Sequence, residues 1–192
     1  MQHLVTPYTK QIEPFAWWEG AFTEEQLNWL QNKAKEANVE AQVGGSSGVT
    51  DQKIRRAKLN WLTNNEENIW VFNILSHVVS NINASYYNFN LVGFGEELQL
   101  VHYHSDNQGT YHWHQDFGEG ISRKLSLVLQ LSDPNEYEGG ELQLLNNKNP
   151  TSIKKQRGHI TIFPAWTLHQ VTPVIKGSRQ SLVAWVSGEP FR

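Results

Sequence analysis

Apolar residues recur at the three- and four-residue spacing of amphipathic helices in two stretches of the first half of the chain. The first stretch opens with a capping box, Thr23 and Gln26, and predicts a helix over about residues 23–37. The second stretch predicts a helix over about residues 68–83. We expect both helices to pack with their apolar faces against a sheet.

The rest of the pattern consists of short apolar runs separated by clusters of Gly, Pro, Asn and Asp, which is typical of β-strands. A glycine- and serine-rich loop extends from about residue 42 to residue 53. The predicted strands cover residues 54–62, 88–92, 97–104, 111–114, 124–131, 141–144, 159–163, 170–174 and 181–186. Helices followed by many short strands predict an α+β, mainly β fold, namely a jelly roll of two sheets buttressed by N-terminal helices.

The length of 192 residues favours a single domain. We place its helical buttress at about residues 12–83 and its jelly-roll core at about residues 86–187. A net charge of −3 indicates no general affinity for nucleic acid, no run approaches the ~20 apolar residues that span a bilayer, and the first residues show no signal-peptide pattern. We therefore expect a cytoplasmic protein without a membrane or nucleic-acid partner, and we expect a monomer.

The chain contains no cysteine, which excludes disulfides, thiolate nucleophiles and cysteine-bound zinc or iron–sulfur sites. A metal ion must therefore use His, Asp or Glu, and this favours Fe(II), Mn or a catalytic zinc. His114, Asp116 and the downstream His169 supply two imidazoles and one carboxylate, the ligand set that leaves open positions on Fe(II). Arg179 follows as a cation suited to an anionic co-substrate.

Other interpretations of these residues stay open at this point. With eight histidines and 19 acidic residues in the chain, an H-x-D pair is expected by chance fairly often. His112 falls on the same strand face as His114 if the strand is regular, which would allow a site with four ligands. Arg179 could instead form a surface ion pair, and Arg55 and Arg56 are interpreted as solvated or structural.

The order of the motifs is more specific than the pair. After the pair come Arg123 at the start of a strand, the Gly139-Gly140 turn, the segment 158–164 and the closing segment 177–185. In this order the chain resembles the prolyl hydroxylase branch of the Fe(II)/2-oxoglutarate dioxygenases, most closely the prolyl hydroxylases that modify hypoxia-inducible factor. The resemblance covers about residues 40–187, and it implies a double-stranded β-helix with the metal inside its mouth.

The resemblance also implies roles for individual residues. His114, Asp116 and His169 would bind Fe(II), and Arg179 would pair with the distal carboxylate of 2-oxoglutarate. O2 is then the second co-substrate, succinate and CO2 are released, and ascorbate keeps the iron reduced. No catalytic residue is predicted beyond the metal site.

Further positions match those around the co-substrate and the substrate. Tyr103 matches a tyrosine beside the co-substrate, Trp185 lines the inner wall, and Gln130 stands where relatives carry a tyrosine that helps to hold the distal carboxylate. Loop 42–53 with the strand behind it resembles the family's mobile finger loop. Arg123, Tyr111 and Trp61 match positions that face the peptide substrate, although the aromatic residues among these are also compatible with simple core or rim packing.

We therefore expect an Fe(II)- and 2-oxoglutarate-dependent dioxygenase that hydroxylates a protein substrate, with peptidyl proline as the leading substrate. One alternative is a dioxygenase that acts on a free amino acid or another small metabolite. A second is a catalytically silent jelly-roll module that binds proteins. A zinc hydrolase with the same three ligands is the third alternative, but it leaves Arg179 without a role.

Overall fold

A computed structural model describes residues 12–43, 49–117 and 122–190. The two predicted helices are confirmed as α1 (Glu24–Lys35) and α2 (Ile69–Ile82). The capping box of α1 is present, because the Gln26 backbone N–H donates to Thr23 Oγ1 (3.3 Å) and the Thr23 N–H donates to Gln26 Oε1 (2.9 Å). Neither described helix has the length and apolar character that a membrane span needs.

Most of the described chain forms antiparallel strands. They are β1 (Ala16–Trp18), β2 (Val39–Glu40), β3 (Arg55–Arg56), β4 (Lys58–Leu62), β5 (Leu91–Phe94), β6 (Leu98–His104), β7 (Thr110–His114), β8 (Arg123–Gln130), β9 (Tyr137–Gly139), β10 (Leu142–Leu144), β11 (Thr151–Ser152), β12 (Ile160–Pro164), β13 (His169–Val171) and β14 (Val174–Gly188). Among the described residues, the larger sheet has the order β1-β12-β8-β14-β6-β4-β2, with β5 and β9 also paired to β14. The smaller sheet has the order β11-β10-β13-β7-β3.

The buried hydrophobic residues form two separate cores, one on each face of the larger sheet. One lies between the helices and the outer face of the larger sheet, and the other lies between the two sheets. Adjacent strand residues point to opposite faces, so Leu100 of β6 enters the first core and Val101 enters the second. Leu182 and Val183 of β14 divide in the same way. The predicted double-sheet fold with a helical buttress is confirmed, and several residues of its inter-sheet core line the cavity that holds the candidate site.

Several predicted boundaries are corrected. The predicted strand over residues 54–62 is two strands, because the chain crosses at Ala57 from the smaller to the larger sheet. The strand predicted over 88–92 begins only at Leu91, because a π-helical turn runs to Tyr87 and Asn88 adopts a left-handed conformation. The strands β1, β2, β9 and β11 contain two or three residues each, too few for an alternating pattern to appear in the sequence.

Candidate active site

Strand pairing in the smaller sheet brings the predicted metal ligands together. His114 ends β7, His169 begins β13, and the two residues are direct cross-strand partners with ring centroids 4.0 Å apart. Asp116 follows β7 by two residues, and its backbone N–H donates to the Ala165 carbonyl (3.0 Å), which holds it beside His169. One ligand atom from each of the three residues lies within 4.8 Å of the other two.

Hydrogen bonds fix which imidazole nitrogen faces the centre. Nδ1 of His114 lies 2.7 Å from the His112 carbonyl oxygen, and Nδ1 of His169 lies 2.9 Å from the Thr167 carbonyl oxygen. Because a carbonyl oxygen only accepts, each Nδ1 carries the proton and each Nε2 keeps its lone pair. The Nε2 atoms of His114 and His169 lie 3.8 and 3.5 Å from the carboxylate of Asp116, so the three ligands converge.

The charge states of the cluster suit a divalent cation. Burial, together with the neighbouring His169, lowers the pKa of His114 to about 3, so this imidazole is neutral at pH 7. Burial raises the pKa of Asp116, but the two imidazoles and the Ser126 hydroxyl outweigh it and bring the pKa below its usual value. Ser126 Oγ donates to Asp116 Oδ2 at 2.6 Å. Two imidazoles and one buried carboxylate fit Fe(II), and the same set also fits a catalytic zinc.

The alternative with His112 as a fourth ligand is wrong. His112 is exposed, and the group of converging ligand atoms contains only His114, Asp116 and His169 among the described residues. The pairing of β7 with β13 shifts register between His169 and Val171, so the alternation of β7 is interrupted between Tyr111 and His114. The His112 side chain therefore does not share the face of His114.

Arg179 is a buried cation without a counter-charge. It lies on β14 opposite Tyr103 of β6, is 1% exposed, and its guanidinium carbon lies 5.4 Å from the centre of the Tyr103 ring. Its Nη2 donates to Gln130 Oε1 (3.0 Å), while its Nε has no acceptor. No carboxylate of the described residues pairs with it, so a surface ion pair is excluded. A buried unpaired charge is costly and marks a position for an anion.

The backbone leaves room for Arg179 at Gly140. A Cβ at this position would lie 3.1 Å from Arg179 Cδ and 3.0 Å from Val174 Cγ2. Gly140 also has a φ of +59°, a conformation that residues with a side chain rarely adopt. The Gly139-Gly140 turn therefore shapes the wall of the arginine site.

A cavity of about 730 Å³ connects these groups. Nine of the ten predicted site residues line it, and the tenth, Gln130, is bonded to Arg179. Trp61 lies at its rim and is 37% exposed. The nine are His114, Asp116, His169, Arg179, Tyr103, Trp185, Arg123, Tyr111 and Trp61.

Two of the residues predicted to face the substrate have well-defined partners. The Tyr111 ring stacks on His114, with centroids 3.5 Å apart and planes at 17°. Arg123 lies 3.9 Å above the Trp185 ring and forms a bidentate ion pair with Glu96, in which Nε donates to Oε1 (2.6 Å) and Nη2 to Oε2 (2.5 Å). The charge of Arg123 is therefore neutralised within the protein.

The sequence interpretation missed three contributors to the cavity. Arg55 is buried and lines the cavity. Its position in the strand that follows the loop at residues 42–53 could have indicated this, because that strand is part of the family resemblance. Glu96 and Ser126 act through Arg123 and Asp116, and no motif singled them out. The glycine-rich part of the finger loop, residues 44–48, lies outside the described residues, and the residues that flank it, Val43 and Val49, pair with each other.

Comparison with known families identifies the segment that carries the site. Residues 98–187 match the model of the 2OG-Fe(II) oxygenase superfamily. The match covers 90 of the 192 residues, so this segment of the chain is similar to that superfamily. The matched segment extends from β6 to β14 and so contains His114, Asp116, His169 and Arg179. The two helices and strands β1 to β5 lie before the matched segment.

Curated proteins that are similar to part of this chain are named as hydroxylases. A PKHD-type hydroxylase of Xanthomonas axonopodis pv. citri is 37% identical over 87 residues, which are 45% of this chain and 38% of that protein. A PKHD-type hydroxylase of Prochlorococcus marinus is 48% identical over 62 residues, 32% of this chain and 28% of that protein. The chain thus spans less than two fifths of the length of these relatives.

Solved structures share the fold over most of the chain. A prolyl hydroxylase from Trichoplax adhaerens, in complex with a fragment of the hypoxia-inducible factor oxygen degradation domain, superposes with a TM-score of 0.77 at 16% identity and covers 91% of this chain and 84% of that one. A prolyl-4-hydroxylase from Pseudomonas putida gives a TM-score of 0.71 at 18% identity, covering 92% and 94%. The resemblance inferred from the sequence motifs is confirmed, and at these identities the likeness shows the fold.

Proposed function

We propose that this chain is an Fe(II)- and 2-oxoglutarate-dependent dioxygenase that hydroxylates a protein substrate at peptidyl proline and releases succinate and CO2. One observation carries the proposal. The converging ligands His114, Asp116 and His169 share a cavity with the buried, uncompensated cation Arg179. The ligands alone also fit a zinc hydrolase, but such an enzyme gives Arg179 no anion to bind.

The protein's own residues prepare the site for its metal. The carbonyls of His112 and Thr167 hold the two ligand imidazoles in the tautomer that presents Nε2. Ser126 holds the Asp116 carboxylate beside the two imidazoles by donating to Oδ2, so that this carboxylate would be in place to bind the ion. Bound Fe(II) supplies the activation of O2 that is coupled to decarboxylation of 2-oxoglutarate.

Arg179 and its neighbours bind the co-substrate. The guanidinium meets the distal carboxylate with charge-assisted hydrogen bonds, and Gln130 fixes its orientation by accepting from Nη2. Tyr103 packs against the guanidinium face, and the apolar residues of the inter-sheet core exclude water from the co-substrate. Hydrogen bonds to a charged group are worth about 1.5–3 kcal/mol each, so loss of Arg179 weakens 2-oxoglutarate binding by about 10- to 100-fold.

Peptidyl proline as the substrate is supported by the rim and by the structural relatives. Tyr111, Arg123 and Trp61, the three residues placed towards the substrate by the family resemblance, all line the cavity of the candidate site. Both structural relatives described above are named as prolyl hydroxylases, and one of them is in complex with a peptide fragment. Ascorbate as the reductant, a cytoplasmic location, a monomeric state and a single domain over residues 1–192 stay predictions within this proposal.

The test begins with anaerobic reconstitution. Fe(II) and then 2-oxoglutarate are added to wild type, Arg179→Ala and the control Lys176→Ala, an exposed residue of the same strand that pairs with Glu138. We expect a visible charge-transfer band in wild type and in the control, and a need for about 10- to 100-fold more 2-oxoglutarate in Arg179→Ala. No band in wild type would contradict the proposal and favour the silent binding module.

The substrate is tested separately, with O2 and proline-containing peptides. Gain of one oxygen atom on proline, accompanied by succinate, is the expected result. Hydroxylation of a free amino acid, or of a residue other than proline, would keep the reaction class and overturn the substrate assignment.

A further inference from the structure

Among the described residues, three arginines line the cavity, and they differ in whether their positive charge has a negatively charged partner. Arg123 is neutralised by Glu96, and Arg179 is assigned to the co-substrate by the proposed function. Arg55 is 7% exposed, and no carboxylate of the described residues forms an ion pair with it. Arg55 is therefore a second buried positive charge that the proposed reaction does not use.

The surroundings of Arg55 show that it is held in place without being neutralised. Its Nη2 donates to Gln99 Oε1 (2.6 Å) and its Nη1 to the Gln42 carbonyl oxygen (3.3 Å). Its guanidinium carbon lies 4.5 Å from the centre of the Tyr111 ring, and its Nε has no acceptor. All of these partners are uncharged, so they orient the guanidinium and leave its charge in place.

The same four features mark Arg179. That residue is also buried, rests on a tyrosine ring, donates from Nη2 to a glutamine side-chain oxygen and has an Nε without an acceptor. The cavity thus contains two similarly built cationic sites, one on β14 and one on β3. Since Arg179 is proposed to bind the distal carboxylate of 2-oxoglutarate, the similar surroundings of Arg55 favour binding of another carboxylate.

Arg55 is close to the reacting centre. Tyr111 contacts both groups, because the Arg55 guanidinium carbon lies 4.5 Å from the centre of its ring and the ring stacks on His114 with centroids 3.5 Å apart. The same aromatic ring therefore contacts the guanidinium and one of the proposed metal ligands. The divalent ion bound by Asp116 keeps a net positive charge, and dianionic 2-oxoglutarate bound by Arg179 keeps a net negative charge. These two net charges cancel. The positive charge of Arg55 is therefore left over, and it can pair with a further anionic group.

We propose that Arg55 binds a carboxylate of the substrate, and that the substrate carries this carboxylate close to the carbon that is hydroxylated. This inference rests on the reaction of the proposed function, and it narrows the class of substrate, of which the first source below keeps peptidyl proline and the second replaces it. The carboxylate has two sources, a peptide with an acidic side chain or free C-terminus beside the proline, and a free amino acid with its α-carboxylate. The neighbouring Arg56 provides the control, because it donates to the backbone carbonyls of Asn107 and Gln108 and does not line the cavity.

The experiment measures binding by calorimetry to the anaerobic Fe(II)/2-oxoglutarate protein. The probes are matched acid and amide pairs: L-proline and L-prolinamide, a peptide ending in proline as its acid and its amide, and a peptide with Asp or Asn beside an internal proline. The proteins are wild type, Arg55→Gln, Arg55→Lys and Arg56→Gln. The pair that shows a preference for the acid identifies the source of the carboxylate.

We expect wild type to bind one acid about 10- to 100-fold more tightly than its amide. Arg55→Gln abolishes this preference, while Arg55→Lys and Arg56→Gln keep most of it. The last two variants serve as controls, because they show that a substitution in this strand does not by itself abolish binding through a folding defect. The proposal is wrong if no acid is preferred by wild type, or if the preference survives in Arg55→Gln. It is also wrong if Arg55→Gln weakens 2-oxoglutarate binding as Arg179→Ala does, since Arg55 then belongs to the co-substrate site. Absence of the charge-transfer band in wild type is a different failure, that of the proposed function itself.

Discussion

Ser126 provides the sharpest test of how the fold prepares the metal ligands. Its hydroxyl donates to Asp116 Oδ2 at 2.6 Å, and both side chains are buried. Ser126→Ala removes a hydrogen bond to a charged group, worth about 1.5–3 kcal/mol, and leaves the carboxylate free to rotate away from the imidazoles. Since tenfold in affinity corresponds to about 1.4 kcal/mol, we expect metal binding to weaken by about 10- to 100-fold, as is usual when a partner of a metal ligand is lost.

The assay is a titration with Co(II), an air-stable substitute for Fe(II), with unfolding by urea measured alongside. Ser132 is the matched control, because it is also buried and exchanges two hydrogen bonds of 2.7 Å with Gln180. Ser132→Ala should lower the free energy of unfolding and leave the Co(II) affinity unchanged. An affinity unchanged in Ser126→Ala would refute the reasoning, and so would an equal loss in both variants.

Three further predictions concern other parts of the molecule. Gly140→Ala introduces a Cβ 3.1 Å from Arg179 Cδ at a residue with a φ of +59°. We therefore expect the free energy of unfolding to fall by about 1–3 kcal/mol and 2-oxoglutarate binding to weaken in the charge-transfer titration. A variant as stable as wild type would contradict this expectation. Burial lowers the pKa of His159 in the folded protein, although its partner Glu19 opposes the shift. As the pH falls, His159 is therefore protonated in the unfolded chain before it is protonated in the folded protein. The free energy of unfolding should decrease as the pH drops below about 6.5, the ordinary pKa of histidine. Urea midpoints between pH 8 and 5 measure this, and His159→Gln should flatten the profile. Leu30→Ala should cost about 2–5 kcal/mol, because Leu30 is fully buried between α1 and the larger sheet; a cost below 1 kcal/mol would mean that the helix is not part of the core.

The sequence carried enough information to predict the ligands and the fold class. His114, Asp116, His169 and Arg179 occur in an order that chance seldom produces, and the structure places all four around one cavity. The long helices were predictable because twelve or more residues repeat the apolar spacing several times. Strands of two or three residues, such as β2 (Val39–Glu40), show no such repeat and were missed.

The remaining differences arise from tertiary contacts that a linear pattern does not contain. The irregular pairing of β7 separates His112 from the face of His114, and regular alternation could not predict it. Arg55 and Arg56 were interpreted as solvated or structural, and the burial of Arg55 beside the cavity follows from its pairing with Tyr111 of β7, which the sequence does not show. Glu96 neutralises Arg123 across 27 positions of sequence, a separation at which charge pairing is not visible.

Strand β14 lies between β8 and β6 in the larger sheet, although it follows both of them along the chain. During synthesis on the ribosome, β6 and β8 emerge before β14, the strand that joins them in the folded sheet. That strand also brings Arg179 opposite Tyr103. Completion of this part of the sheet and placement of Arg179 therefore depend on the same strand, so a partly made chain that stops before β14 lacks the cation that is proposed to bind 2-oxoglutarate.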